Sequence, residues 1–167
     1  MTITDKPNIQ ADLIPVLETV SDPEIPVLSV LDLGVIREAL EKEGTIQIKL
    51  TPTYSGCPAM DVIGDDLKKA FLEVGKKAEV ELVLSPAWST DWISEEGLRK
   101  MEEYGIARPL SESHDKDALL GNKKLVKCPQ CGSTNTQVVS QFGSTACKAL
   151  FKCDDCQEPF DYFKCLK

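Results

Sequence analysis

Four cysteines near the end of the chain fall in two pairs, Cys128-Pro129-Gln130-Cys131 and Cys153-Asp154-Asp155-Cys156, with 21 residues between the pairs. Two residues between thiolates let one tight turn aim both sulfurs at a single ion. A returning hairpin then brings the second pair, and the four sulfurs make the closed tetrahedral shell that Zn2+ accepts. The spacing lies one residue beyond the usual range of paired Cys-x-x-Cys ribbons. Gly132, directly after the first pair, supplies the backbone freedom such a knuckle needs. The expectation is a zinc site at Cys128, Cys131, Cys153 and Cys156, with the native choice between zinc and iron left open.

Three cysteines stand outside these pairs. Cys57 lies in Ser55-Gly56-Cys57-Pro58, ahead of an amphipathic segment. Proline favours the first helical position, so Cys57 is expected at the N-cap, where unpaired amides and the helix dipole stabilise a thiolate. Exposed cysteines of that kind are nucleophiles or metal ligands, whereas most free cysteines are small buried hydrophobes. The hydroxyls of Thr51, Thr53, Tyr54 and Ser55 make the loop polar and tip the balance towards function. Cys147 precedes Cys153 by six, so on a regular strand the two share a face. It is read as lining the metal site, as an alternate ligand, or as a packing residue. Cys165, close to the chain end where order is usually poor, is read as a spare thiol, an additional metal ligand or a transfer residue.

The elements that must hold these residues divide the chain. A helical period near Asp12 to Val20 carries Leu13, Leu17 and Val20 on one face, with Pro15 tolerable only in the first turn. Val35–Leu40 and Thr45–Leu50 read as a β-hairpin, the second strand alternating as Ile46, Ile48, Leu50. Met60, Ile63, Leu67, Ala70, Phe71 and Val74 mark a helix ended by Gly75, and Lys77–Leu84 a strand parallel to its neighbour. Ser94 is placed to cap a short helix to Tyr104. The fold class is α+β: a small two-layer domain over 9–107 (helix, hairpin, helix, strand, helix), a linker over 108–124 without periodicity, and a β-rich zinc ribbon over 125–167. Strands Thr136–Phe142 and Ala146–Lys152 are expected around Gly143 in the ribbon.

Charge narrows the partners. Residues 1–107 hold 10 Lys/Arg against 20 Asp/Glu, and residues 108–167 hold 9 against 7. Neither part has the basic footprint of a nucleic-acid binder, so a protein partner is the natural reading. No apolar run has the length of a membrane span, and the polar start Met1 to Pro7 is not a signal peptide, so the expectation is a cytoplasmic protein with reduced thiols. His114 reads as a solvated linker residue, and Trp88 and Trp92 as packing anchors. No Ser/His/Asp set, phosphate loop or paired histidine site supports independent catalysis. A thiol–disulfide oxidoreductase would need one Cys-x-x-Cys at a helix start, and here the pairs come doubled in a β-rich segment.

Asp22-Pro23-Glu24, Asp32-Leu33-Gly34, Thr51-Pro52-Thr53 and Cys57-Pro58 ahead of a helix resemble the SufT-type iron–sulfur assembly domain. The order continues through Trp88, Asp91-Trp92, Ser94 to Gly97, Phe142 to Lys148 and Glu158 to Cys165. Over nearly the whole length this is similar to the PaaD (PaaJ-type) family, the D component of the phenylacetyl-CoA epoxidase system of phenylacetate catabolism. The resemblance implies a non-catalytic accessory factor that matures the iron–sulfur or di-iron centre of that complex. It makes Cys57 the assembly cysteine and Asp22, Glu24, Asp32, Thr51 and Thr53 positions of the same motif set, carrying a transient iron–sulfur cluster or iron. Turn chemistry is the stronger reading of the acidic positions, since Asp serves turns well before Pro or Leu-Gly. The implied partners are the epoxidase subunits, above all the flavin and [2Fe–2S] reductase, and general iron–sulfur assembly proteins. A homodimer, and a structural or electron-transfer adaptor role, are left open.

Overall fold

The computed structural model describes residues 6–165; the reading of the first residues as a non-signal start falls mostly outside them. The chain divides into two compact units, residues 1–97 and 98–167, so the boundary falls earlier than the expected 107.

In the first unit a four-stranded sheet runs in the order β1 (Asn8–Ile9), β2 (Ile36–Lys42), β3 (Thr45–Leu50), β4 (Lys77–Leu82). β2 and β3 form the expected antiparallel hairpin. Its turn is Glu43-Gly44, both at positive φ (51° and 79°), a two-residue turn that matches the twist of the strands. Along β3, Ile46, Ile48 and Leu50 are fully buried and their neighbours are not, which commits one face of the sheet to the core. Helix α1 (Ile14–Leu17) follows a 3-10 turn at Ala11–Leu13 and is shorter than the period suggests. Pro15 sits in its first turn, and Leu13, Leu17 and Val20 are all buried. A second short helix, α2 (Val30–Leu33), lies between α1 and β2.

Helix α3 (Ala59–Glu73) buries Met60, Ile63, Leu67 and Phe71. It ends because Gly75 adopts φ 76° while the Lys76 amide reaches back to the Phe71 carbonyl at 2.9 Å, closing the last turn. α3 packs against β4, and Val80 lies 3.8 Å from where a Cβ on Gly64 would sit. β4 runs parallel to β3, with Leu82 opposite Leu50. The other sheet face is polar, with Lys49 3.3 Å from Glu38 and Gln47 donating to Glu79.

α4 (Glu95–Tyr104) begins after Ser94, whose hydroxyl accepts the Gly97 amide at 2.9 Å, as expected of a cap. The second unit has a sheet in the order β5 (Ile106–Ala107), β8 (Pro159–Phe163), β7 (Lys148–Cys153), β6 (Thr136–Ser140). Two of its strands, β5 and β8, were not expected. Nor is 108–124 an unstructured linker: it contains α5 (Glu112–Leu119), which buries Asp115 and Ala118. Asp115 explains why. Its Oδ1 accepts from the Tyr162 hydroxyl at 2.5 Å and from the Cys165 amide at 2.9 Å, so a carboxylate fills a position where an apolar residue would have revealed the helix. The core here joins Ala118, Val126, Ala149, Phe151, Phe160 and Tyr162.

Candidate metal centre and assembly loop

The two Cys-x-x-Cys knuckles are built alike. In the first, the Gly132 amide donates to the Cys128 carbonyl at 2.9 Å and the Cys128 amide to Ser133; Gly132 takes φ 78° to close the turn. The second knuckle starts at the last residue of β7, where the Cys153 amide donates to Glu158 and Gln157 adopts φ 67°. The acids between the second pair are pinned. Asp155 accepts from the Ser133 hydroxyl and, at 2.9 Å, from the Asn135 side-chain amide, and Asp154 accepts from Gln137 at 2.8 Å. Asp154 is also paired with Lys124 at 3.3 Å.

The result is a preformed sulfur cage. All four ligand atoms lie within 4.8 Å of one another, with Cys128 to Cys156 at 3.7 Å and Cys131 to Cys153 at 3.6 Å. Zn–S bonds of about 2.3 Å in a regular tetrahedron give sulfur–sulfur edges of about 3.8 Å, so these residues fit Zn2+. Joint ionisation of the thiols is opposed by the charge they would gather in one cage. The Cys156 amide holds the Cys153 thiol down to about 7. Cys156 is favoured as a thiolate by the Glu158 amide, but desolvation and the sulfurs of Cys128 and Cys153 push it up to about 12. A bound dication removes that mutual penalty.

Cys147 does not belong to the cage. It lies one residue before β7, buried, with its sulfur 3.0 Å from the Thr145 hydroxyl. Cys165 is likewise outside the cage, and its amide is anchored on Asp115 where poor order was expected. His114 is exposed on α5. Trp88 is buried and donates from Nε1 to the Leu33 carbonyl at 3.0 Å, while Trp92 stacks beneath Arg37 at 3.8 Å.

In the first unit, the motif residues gather at one end of the sheet. β3 ends at Leu50, and the next amide, Thr51, donates to the Val35 carbonyl at 2.8 Å just before β2. Val35 follows α2 and Gly34, so the backbone ties the end of α2 to the start of the Thr51–Cys57 loop. The segment around Asp22 is tied to the same place by a bridge between Ser21 and Ser29 and by the Val30 amide on Val20. The acids do local work. Asp22 Oδ1 accepts the amides of Glu24 at 2.7 Å and Ile25 at 3.0 Å, an Asx turn. Asp32 and Ser29 form a reciprocal capping box on α2.

Cys57 departs from expectation. Pro58, already helical at φ −69°, takes the cap, and α3 starts at Ala59, so the thiol lies one residue outside the N-cap. It is 8% exposed, a covered thiol and not an open one. Thr53 is half-buried in the same loop. The feature that sequence reasoning could not find is the buried Thr51 hydroxyl, without a hydrogen-bond partner among the described residues. Leaving such a group unpaired costs roughly 1–3 kcal/mol.

Comparison with known proteins agrees with this division. Residues 10–82 match the family described as iron-sulfur cluster assembly protein, and residues 112–164 match the PaaD zinc beta ribbon domain. A protein of Escherichia coli, provisionally named as the D component of 1,2-phenylacetyl-CoA epoxidase, is 45% identical over 90% of this chain and 89% of its own. An Fe-S protein maturation auxiliary factor of Porphyromonas gingivalis is 35% identical over 55% of this chain and 90% of its own. The corresponding factor YitW of Bacillus subtilis is 33% identical over 52% of this chain and 86% of its own. The chain therefore belongs to the PaaD family, in which an iron–sulfur cluster assembly domain is joined to a zinc ribbon. Among the described residues no helix is long and apolar enough to cross a membrane.

Proposed function

We propose that this protein is a non-catalytic accessory factor that matures a metal centre of a phenylacetyl-CoA epoxidase, with the [2Fe–2S] cluster of the reductase as the first client and the di-iron centre of the oxygenase as the second. In this reading an iron–sulfur cluster or iron is cargo. Cys57 supplies a thiolate to it during transfer, and Thr51, Thr53, Asp22, Glu24 and Asp32 shape the loops around that thiol. Cys128, Cys131, Cys153 and Cys156 hold a structural zinc ion that folds the ribbon and takes no part in transfer. The observation that carries the reading is the Thr51–Cys57 loop, which begins with a buried hydroxyl that has no partner among the described residues and ends with a covered thiol. A hydroxyl left unpaired inside the protein is suited to an incoming ligand or water.

Transfer requires Cys57 to be uncovered when the client docks. Gly56, exposed at φ 80° with open space around it, gives the loop a residue able to absorb that movement. The experiment measures iron and acid-labile sulfide in the reductase and iron in the oxygenase, each purified from cells carrying Cys57→Ser. A client poor in metal supports the reading. Clients fully loaded while epoxidation is lost would replace it with a structural or electron-transfer adaptor role.

A further inference from the structure

β4 is the outer strand of its sheet, and among the described residues no strand lies beyond it. The Val83 amide donates inward to Leu50, so by the alternation of a parallel ladder the amides of Ala78, Val80 and Leu82 face outward. Proteins usually blunt such an edge with charges, prolines or bulges. Here the charges, Lys77, Glu79 and Glu81, lie on the polar face with Gln47. The alternate row, Ala78, Val80 and Leu82, faces α3 and continues to Leu84. Leu82 is 50% exposed and Leu84 66%, and Val62 at the start of α3 is 47% exposed. All three lie at the sheet end that carries Thr51 and Cys57, because Leu82 pairs with Leu50 and α3 starts directly after the loop.

Charge decides what covers this edge. Along the edge strand two acids, Glu79 and Glu81, stand against one base, Lys77, which shares Glu79 at 3.4 Å, so the edge keeps a net negative charge, and residues 1–107 hold twice as many acids as bases. A second copy would bring like charge, whereas a cationic polypeptide is complementary. We propose that the outer edge of β4 receives an extended segment of the client protein as a fifth strand. Its alternate side chains are apolar, against Val62, Leu82 and Leu84, and Lys or Arg, against Glu79 and Glu81. The inference rests on the accessory-factor reading and names how the client is held beside Cys57. Main-chain pairing gives the affinity, and the alternating side chains give the choice of partner.

The test uses the full-length, zinc-loaded protein with p-benzoylphenylalanine at position 84, irradiated with the purified reductase and oxygenase subunits as probes. Cross-links are expected within one segment of a client that alternates apolar and Lys/Arg residues, with a yield that falls as salt rises from low to high. Leu82→Pro removes an outward amide, a substitution an edge strand tolerates, and should lower the yield about tenfold. Glu79→Lys with Glu81→Lys keeps the ladder and should lower it as much, which preserves the test if the proline variant folds poorly. Cross-links to a second copy of this chain, links scattered over the client, or yields unmoved by both variants overturn the proposal. Client loading separates the two readings. Loss with Cys57→Ser but normal loading with both β4 variants overturns the docking edge alone, and full loading with Cys57→Ser overturns the accessory function and the docking inference with it.

Discussion

Asp32 and Ser94, 62 residues apart, share two hydrogen bonds: the Ser94 amide donates to the Asp32 carbonyl at 2.9 Å, and the Ser94 hydroxyl to the Asp32 carboxylate at 3.2 Å. The same hydroxyl accepts the Gly97 amide, and a Cβ on Gly97 would sit 3.0 Å from the Asp32 carbonyl. Two segments that the sequence links only by resemblance are thus one structure, with Asp32 capping α2 on one side and orienting the start of α4 on the other.

Asp32→Ala should therefore lower stability. It removes the Asp32 half of the capping box on α2 and a partner of Ser94, together worth about 2 kcal/mol. The midpoint of urea unfolding at unchanged slope checks this. Gly34→Ala should cost more, because Gly34 has φ 74° and its Cβ would stand 2.4 Å from the Trp92 carbonyl. In Gly34→Ala client maturation should fall only in proportion to the folded fraction, since Gly34 acts on the scaffold alone.

Metal removal should unfold the ribbon. Structural zinc contributes roughly 10–16 kcal/mol in small fingers, and the second unit's sheet connects directly to both knuckles. Amide spectra should lose dispersion over 125–165 on chelation and recover with one equivalent of Zn2+. The pH dependence has a fixed sign. Ligands bind as thiolates, so apparent zinc affinity must rise with pH. Before metal binds, Cys153 is held down to about 7 and Cys156 is pushed up to about 12, so both must release protons to the ion. Competition with a chromophoric chelator between pH 6 and 8 measures the slope and the protons released.

What could be read from sequence was local. The hairpin follows from the alternation of Ile46, Ile48 and Leu50, α3 from a helical period closed by Gly75, and the cage from cysteine spacing alone. What escaped depended on distant partners. α5 is invisible because its inward residue at 115 is an aspartate, satisfied by Tyr162 and Cys165 some fifty residues on. The position of Cys57 turned on which of two adjacent residues takes the cap, and Pro58 had the dihedrals to do so. The solitary Thr51 hydroxyl carries no sequence signal, since any threonine could have found a partner.

Tyr162 should resist ionisation. Burial and its bond to Asp115 raise the phenol above its ordinary value near 10. A raised folded value means that the stability it confers is complete below pH 10 and is lost as pH rises through the folded value. Ultraviolet titration should show one tyrosine ionising only with unfolding. Asp115→Ala, which removes the acceptor of the Tyr162 hydroxyl and of the Cys165 amide, should destabilise the second unit by about 2–4 kcal/mol, and Tyr162→Phe by less.

Cys57 should label slowly in the folded protein, because the thiol is covered and its loop must open first. With zinc bound, the ribbon sulfurs are protected, and the thiols outside the cage are Cys57, Cys147 and Cys165, of which Cys165 is the least covered. Mass-resolved alkylation should therefore modify Cys165 first, with Cys57 at least about tenfold slower than in urea, as expected when reaction waits on local opening. Adding the client should reverse the order at Cys57 if docking uncovers it for transfer. Cys57→Ser should leave the protein folded, lowering its stability by about 1 kcal/mol because a hydroxyl replaces a covered thiol, and still fail to load the client. A Cys57 thiol that reacts as fast as Cys165 before the client is added would contradict the covered loop, and a rate unchanged by client would remove docking as the step that exposes it.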